Sequence, residues 1–165
     1  MNIRLCKMTR SLCRQYFQRF EMDPDLFIDM EKFQPYVYNP ETCDALFDRY
    51  RQTNRVYLAI MQNTEPIGEV ILKNIDSDQQ CCTIGIHLQN DSVKNKGYGT
   101  RAEILALQYA FHELNMKVVF ADAIHKNKRS QHVLEKVGFQ KVNCDDQFVY
   151  YRCDKALWRP PTLQT

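Results

Sequence analysis

A lysine- and glycine-rich heptapeptide, Lys94-Asn95-Lys96-Gly97-Tyr98-Gly99-Thr100, carries the clearest chemical signal in the sequence. Glycine allows close approach to the backbone, and the first turn of a helix leaves several N–H groups without carbonyl partners. With two lysines beside them, these N–H groups could bind a phosphate or pyrophosphate at the positive end of a helix dipole. The alternative is an ordinary glycine turn before a core helix, so the surrounding elements must decide.

The residues after this loop predict an amphipathic helix that runs to about Met116 and packs one face on a sheet. Ile104, Leu107, Phe111 and Leu114 recur at helical spacing on one side. Polar residues occupy the other side, namely Arg101, Gln108, His112 and Glu113. The loop therefore leads directly into a well-specified helix.

The rest of the chain predicts an α+β (α/β) fold with a mixed, mostly antiparallel sheet of six to seven strands and about four helices. Three strand-like runs separated by short turns form an antiparallel meander before the loop. The helix that follows and the apolar strand after it imply one parallel pair at the middle of the sheet. The predicted strands are 3–8, 56–61, 67–73, 81–88, 118–123, 139–142 and 148–152, and the other predicted helices are 11–20, 40–52 and 128–136.

The composition is that of one globular domain. The chain has 165 residues, 44% of them hydrophobic and 25% charged, and a net charge of 22 minus 20, or +2. We expect a single domain over residues 1–158 and a disordered tail over 159–165. Nothing in the bulk charge indicates nucleic acid or a membrane surface, and the first residues lack the apolar run of a signal peptide, so we expect a cytoplasmic protein.

Cysteine and histidine usage gives no indication of a metal site. Seven cysteines, an odd number, include no C-x-x-C pair, and the four histidines are not spaced with them as zinc ligands would be. We interpret the cysteines as reduced, half-buried apolar residues and expect no bound metal.

Two other phosphate-binding folds are disfavoured. Gly97-x-Gly99-x-x-Ala102 matches the dinucleotide fingerprint, and Asp122 follows about twenty residues later. However, eight residues separate Leu88 from Gly97, and one helix-strand crossover cannot build a doubly wound sheet. A nicotinamide-dependent oxidoreductase is thus a weaker alternative, and the Walker spacing of nucleoside triphosphatases is absent.

A meander, a glycine loop, a helix, a strand and a second helix ending in Lys136-Val-Gly-Phe139 together resemble the GNAT superfamily of N-acetyltransferases. The family's loop pattern, Q/R-x-x-G-x-G/A, falls on Lys94 to Gly99 with lysine at its first position. Its Asn-x-x-Ser element matches Asn127-Lys-Arg-Ser130. This motif resembles that of the branch that acetylates ribosomal-protein N-termini, spermidine or antibiotics.

The resemblance implies that acetyl-CoA is the co-substrate. The loop from Lys94 to Thr100 would hold the pyrophosphate, and the backbone of Ile86, His87 and Leu88 would pair with the pantetheine arm where the two parallel strands splay apart. Asn127 would contact the pantetheine, and Ser130 would protonate the leaving thiolate, because Leu134 occupies the place of the family's usual tyrosine acid. The resemblance also implies a homodimer.

The general base is the open part of the mechanism. Relatives often carry a glutamate on the fourth strand, where this chain has Thr83. If the preceding turn is centred near residues 77–79, Glu69 and His87 lie opposite each other on one face and could relay a proton through water. Solvated strand positions are the alternative for both, and Asp122 and His125 are less favoured candidates.

The sequence thus predicts an N-acetyltransferase that moves an acetyl group from acetyl-CoA to a primary amine, in a small molecule or at a protein N-terminus, by direct attack in a ternary complex. A non-catalytic acyl-CoA-binding module of the same fold is the alternative that the missing tyrosine and glutamate leave open. Residues 21–39, rich in acids, aromatics and prolines, do not identify the amine acceptor.

Overall fold

A computed structural model of the chain describes residues 2–162. Its strands are β1 (Ile3–Lys7), β2 (Val56–Gln62), β3 (Glu65–Asp76), β4 (Cys81–Leu88), β5 (Val118–Ile124), β6 (Gln140–Cys144) and β7 (Phe148–Asp154). Its helices are α1 (Arg10–Gln18), α2 (Pro40–Gln52), α3 (Tyr98–Gln108) and α4 (Lys128–Val137). Residues 163–165 of the predicted disordered tail lie outside the described residues.

One seven-stranded sheet, in the order β1-β2-β3-β4-β5-β7-β6, forms the centre of the fold. The β4–β5 pair is parallel, and the other five pairs are antiparallel. The predicted mixed sheet with one central parallel pair is therefore confirmed.

The side chains of β2 alternate between two core clusters, one on each face of the sheet. Tyr57, Ala59 and Met61 belong to a core cluster with α1 and α2, whereas Leu58 and Ile60 belong to a larger cluster with α3 and α4. Successive side chains of a strand point to opposite faces, so an uninterrupted apolar run is what a strand between two helical layers requires.

Local capping sets the helix ends. Asn39 caps α2 by accepting from the Thr42 N–H at 2.9 Å, with Pro40 at the first helical position. Gly138 ends α4 with φ of 110°, in the left-handed region that favours glycine, and a Cβ there would come within 3.0 Å of Trp158.

The helix after the glycine loop ends earlier than its apolar periodicity predicts. Instead of running to Met116, α3 continues only through a π-helical turn, Tyr109–Glu113, and the chain then reverses at Asn115 with φ of 55°. The carbonyl of Phe111, in this last turn, accepts a hydrogen bond from the Lys155 ammonium at 2.7 Å. This bond compensates for the interrupted helical ladder.

Candidate active site

The parallel strands part beyond a short paired region. β4 and β5 are hydrogen-bonded only where Cys81–Cys82–Thr83 meet Val118–Val119–Phe120. β5 pairs with β7 along its whole length, and β4 pairs with β3 through to Leu88. The backbone of Ile86, His87 and Leu88 therefore has no ladder partner on the β5 side, and this opening is called the gap below. A Cβ added at Gly85 would meet nothing within 4 Å, so there is open space above this face of β4.

The glycine loop places uncapped amides at the end of β4. Asn95 and Gly97 both adopt left-handed conformations, with φ of 58° and 78°, and α3 begins at the next residue. Gly97 offers no side chain to cap the first turn, so the N–H groups there point outward. A Cβ at Gly99 would meet only Leu88, at 3.9 Å, which leaves room for an anion against the backbone.

The two loop lysines differ in their surroundings. The Lys94 ammonium lies 3.1 Å from Asp23 and 2.9 Å from Asp91, and only 12% of its side chain is exposed. Its charge lowers the pKa of Asp91 through a hydrogen bond and Coulomb attraction. Lys96 is exposed and has no carboxylate within ion-pair distance among residues 2–162. Sequence reasoning missed Asp23, because 71 residues separate it from Lys94.

Two loop side chains face the core instead of the solvent. Tyr98 is buried and its hydroxyl accepts a hydrogen bond from the Gln62 amide at the end of β2, and Thr100 is buried as well. These two residues can therefore offer an anion their backbone N–H groups.

Glu69 and His87 meet across the β3–β4 pair, as the turn position predicts. They are direct partners in the antiparallel register, and Glu69 Oε1 lies 3.1 Å from His87 Nδ1. Only 8% of the Glu69 side chain is exposed, compared with 60% for His87. The exposed imidazole of His87 thus connects the buried Glu69 carboxylate to solvent.

Tyr57 is a second site residue that sequence reasoning missed. Its hydroxyl donates to Glu69 Oε2 at 2.6 Å. Burial, followed by the neighbouring Glu69 charge, raises the pKa of Tyr57 far above its ordinary value, so the hydroxyl keeps its proton. The signal was the alternation of β2, since Tyr57 shares a face with Ala59, the residue that pairs with Glu69.

A layer of small and aromatic side chains from α1 and α2 covers this hydrogen-bonded group. The Cys13 thiol lies 3.6 Å from both the Tyr57 hydroxyl and the Cys43 thiol. Burial raises the pKa of Cys13 to about 12, so the thiol is neutral at physiological pH. The Tyr16 hydroxyl is buried and finds no partner within the described part of the chain. Glu69 is therefore shielded from water on its helical side.

The Asn-x-x-Ser element lies on the opposite flank of the gap. Asn127 caps α4 by accepting from the Ser130 N–H at 3.0 Å, and its amide group remains available. Ser130 is half-buried at the helix start. The family's tyrosine position holds Leu134, which is buried in the core. Ser130 is on the helix that follows β5, whereas Glu69 is on β3, the neighbour of β4.

Neither of the less favoured candidates, Asp122 and His125, makes a hydrogen bond to Glu69 or His87 within residues 2–162. Asp122 is exposed and pairs with Tyr150 in the register, and His125 Nε2 lies 2.7 Å from the Asp145 carbonyl oxygen in the β6–β7 hairpin. The structure therefore does not bring them to Glu69.

Residues 19–33 are tied to both flanks of the gap. On the β4 side, the Glu21 N–H donates to the Gln89 carbonyl at 2.9 Å, and Asp23 pairs with Lys94. On the β5 side, the Lys126 ammonium donates to the Phe27 carbonyl at 3.2 Å. Residues 21–39, which the sequence left unassigned, contain two 3₁₀ turns, Pro24–Leu26 and Met30–Lys32, and border the open end of the site.

Residues 2–162 contain neither a candidate metal-binding group nor a candidate membrane-spanning helix. No group of three or more acidic, cysteine or histidine side chains there is arranged to hold a metal ion. No helix in that range has the length and apolar character needed to cross a bilayer.

Comparison with protein-family models matches residues 3–140 to the acetyltransferase (GNAT) domain. No curated protein sequence matches the chain significantly.

Many solved structures share the fold. A spermidine N-acetyltransferase SpeG chimera from Vibrio cholerae and hSSAT has a TM-score of 0.76 at 16% identity, over 94% of this chain and 97% of that one. The Campylobacter jejuni N-acetyltransferase PseH, in complex with acetyl coenzyme A, has a TM-score of 0.62 at 20% identity, over 70% and 79%. A dodecameric spermidine N-acetyltransferase from Vibrio cholerae has a TM-score of 0.70 at 17% identity, over 93% and 94%. Identities this low show a shared fold.

Proposed function

The chain belongs to the GNAT family of acetyltransferases, and on that premise we propose that it transfers the acetyl group of acetyl-CoA to a primary amine by direct attack in a ternary complex. The observation that carries the proposal is the gap, because β4 loses β5 as a partner after Thr83 while Glu69 and His87 face each other on the next strand pair. A thioester arm lying along β4 would place its carbonyl within reach of those side chains.

The residues around the gap fit coenzyme A. A diphosphate needs several N–H donors and open space above them, and the uncapped first turn of α3 at Gly97 and Gly99 offers both. The amide groups of pantetheine need backbone partners, which Ile86, His87 and Leu88 supply on the unpaired edge of β4. Lys96 adds a free positive charge, and Lys94 fixes the loop to Asp23.

The reaction forms a bond between the amine nitrogen and the acetyl carbon and breaks the carbon–sulfur bond of the thioester. One proton leaves the amine nitrogen and one is needed at the departing sulfur. An N–H of the unpaired β4 edge would stabilise the oxyanion that develops on the acetyl oxygen.

We propose that Glu69 and His87 together accept the proton that leaves the amine. The proton would pass from the amine to His87 or a water beside it and be stabilised by the Glu69 carboxylate, which lies 3.1 Å from Nδ1. Tyr57, donating at 2.6 Å, fixes the orientation of that carboxylate. Glu69 could alternatively anchor an ammonium group of the acceptor.

Ser130 is the candidate general acid that protonates the departing thiolate sulfur. It is half-buried at the start of α4, and the buried Leu134 leaves that helix without a tyrosine acid. The buried Leu134 also supports a second candidate function, a non-catalytic module that binds acyl-CoA without turnover.

Oligomerisation is proposed as well. The dodecameric state named for the Vibrio cholerae relative supports an oligomer for this chain, and a homodimer is the smallest assembly that we expect. Multi-angle light scattering of the purified protein gives the mass directly.

Thiol release from acetyl-CoA, measured with a panel of polyamines, aminoglycosides and peptides, tests the function. We expect turnover with at least one amine and a fall of about 10²-fold or more in kcat/KM for Glu69→Gln. Glu65→Gln is the matched control, since Glu65 is on the same strand but exposed and paired with Arg19. We expect less than a twofold change there.

The outcomes separate the candidates. Calorimetric binding of acetyl-CoA without turnover of any amine would favour the non-catalytic module. An unchanged kcat/KM of Glu69→Gln across pH would remove Glu69 as base and as amine anchor.

A further inference from the structure

A cleft of about 680 Å³ lies where the end of β1 and the start of β2 meet helices α1 and α2. Its buried lining is apolar and consists of Met8, Phe47 and Tyr57. A volume of this size is ordinary for a small-molecule site. Of the residues lining this cleft, only Tyr57 takes part in the proposed acetyl transfer, through its hydrogen bond to Glu69.

The border of the cleft is basic, and most of its charge is not neutralised. Arg10 is paired with Asp48 at 2.5 Å and Asp44 at 3.4 Å. The other three cations are Lys7, Arg51 and Arg55. None of these three has a carboxylate within ion-pair distance among residues 2–162. Three uncompensated positive charges around one concavity attract an anion.

The guanidinium groups are arranged in contact with aromatic rings. Arg55 lies 4.8 Å from the Tyr50 ring centroid, and Arg51 lies 5.9 Å from that of Phe47. Ring contact restrains an arginine side chain while leaving its N–H edge free to bind a phosphate with two hydrogen bonds. The cations are therefore positioned at the border of the cleft.

We propose that this cleft binds a small phosphorylated molecule with an aromatic or aliphatic body. The phosphate would be held by Arg51, Arg55 and Lys7, and the body would contact Met8 and Phe47. The same charges repel ammonium groups, so the cleft is not the amine acceptor site. Asp44 and Asp48 next to Arg10 limit the positive region to the cleft, which disfavours an extended polyanion.

The cleft is separate from the coenzyme A loop. Arg55 and Tyr57 are at the start of β2, whereas Gln62, which contacts Tyr98 of the loop, is at its end. The six residue steps from Val56 to Gln62 correspond to about 20 Å along a strand. The proposal therefore does not depend on acetyl transfer.

Isothermal titration with phenyl phosphate, which carries an aromatic body and a dianion, tests the proposal on the full chain at low ionic strength. We expect saturable binding of one molecule per chain, with phenol and inorganic phosphate each at least tenfold weaker. Saturating CoA should leave the affinity within twofold. No saturable heat, or loss of binding in the presence of CoA, would overturn the proposal.

Substitution locates the binding. We expect the double variant Arg51→Ala/Arg55→Ala to weaken phenyl phosphate binding at least tenfold, with an unchanged circular dichroism spectrum. Arg49→Ala is the control, because Arg49 is on the same helix and contacts Tyr50 but does not line the cleft. Should the double variant misfold, Lys7→Gln at an exposed position takes its place, with at least a threefold loss expected. Equal losses in Arg49→Ala, or tighter binding of a ten-nucleotide thymidine strand than of phenyl phosphate, would refute the assignment.

Discussion

We expect Glu103 to make the stability of this protein depend on pH. The residue is on α3, faces the core, and its Oε2 has no hydrogen-bond partner within residues 2–162. Burial raises the pKa of Glu103 from 4.5 to about 8. In the unfolded chain the carboxyl titrates near 4.5, so folding takes up a proton between these two values.

The sign and the size follow from that difference. Well below pH 4.5 the Glu103 carboxyl is neutral in both states, so it adds no pH-dependent contribution to the free energy of unfolding. As pH rises, the carboxyl ionises first in the unfolded state, which stabilises the unfolded state relative to the folded state. At 1.36 kcal/mol per pH unit, the free energy of unfolding falls by about 4 kcal/mol between pH 4.5 and pH 8 because of this group. A loss of that size is a large part of the stability of an ordinary domain.

Replacing Glu103 by glutamine removes the titration while conserving shape. We expect Glu103→Gln to unfold at similar urea concentrations to the parent near pH 5 and to be more stable by about 3 kcal/mol or more at pH 8. Urea unfolding at four pH values between 5 and 8 measures the slope, and Glu113→Gln at an exposed position of the following π-helical turn is the control. Equal pH slopes for the parent and Glu103→Gln would refute the reasoning.

Three further predictions concern the site and the thiols. Tyr57→Phe removes the 2.6 Å hydrogen bond to Glu69, so kcat/KM should fall about tenfold with little change in acetyl-CoA affinity; a change in affinity alone would contradict the orienting role. Gly97→Ala, at φ of 78°, should weaken acetyl-CoA binding and lower stability by about 1 kcal/mol, whereas Gly97→Asn, which tolerates that conformation, should do less; calorimetry and unfolding decide. In the native protein, iodoacetamide should label exposed Cys144 long before buried Cys13, whose pKa burial raises to about 12; mass spectrometry would reveal the opposite order.

The positions of single elements were predictable because their signals are local. Asn39 and Pro40 start α2 with an interaction that spans three residues, and the β3–β4 turn alone sets the register that brings Glu69 to His87. The glycine loop was equally predictable, since Gly97 is required by the left-handed backbone conformation at its own position.

Contacts between distant segments were not predictable. Lys94 and Asp23 are 71 residues apart in the sequence, and Lys126 and Phe27 are 99 residues apart. No local spacing pattern predicts either contact. The π-helical turn at the end of α3 was missed for a related reason, because its Phe111 carbonyl is bonded by Lys155, 44 residues further along the chain.

The sequence by itself determined the order of the strands and helices, the caps, the glycine loop and the Glu69–His87 pair, because each depends on residues within one turn or one strand pair. The tertiary structure alone decided how far β5 diverges from β4, which loop lysine is neutralised, and that Tyr57 donates to Glu69. These features depend on how whole elements pack against one another. Such packing is a property of the complete core, which short-range patterns do not contain.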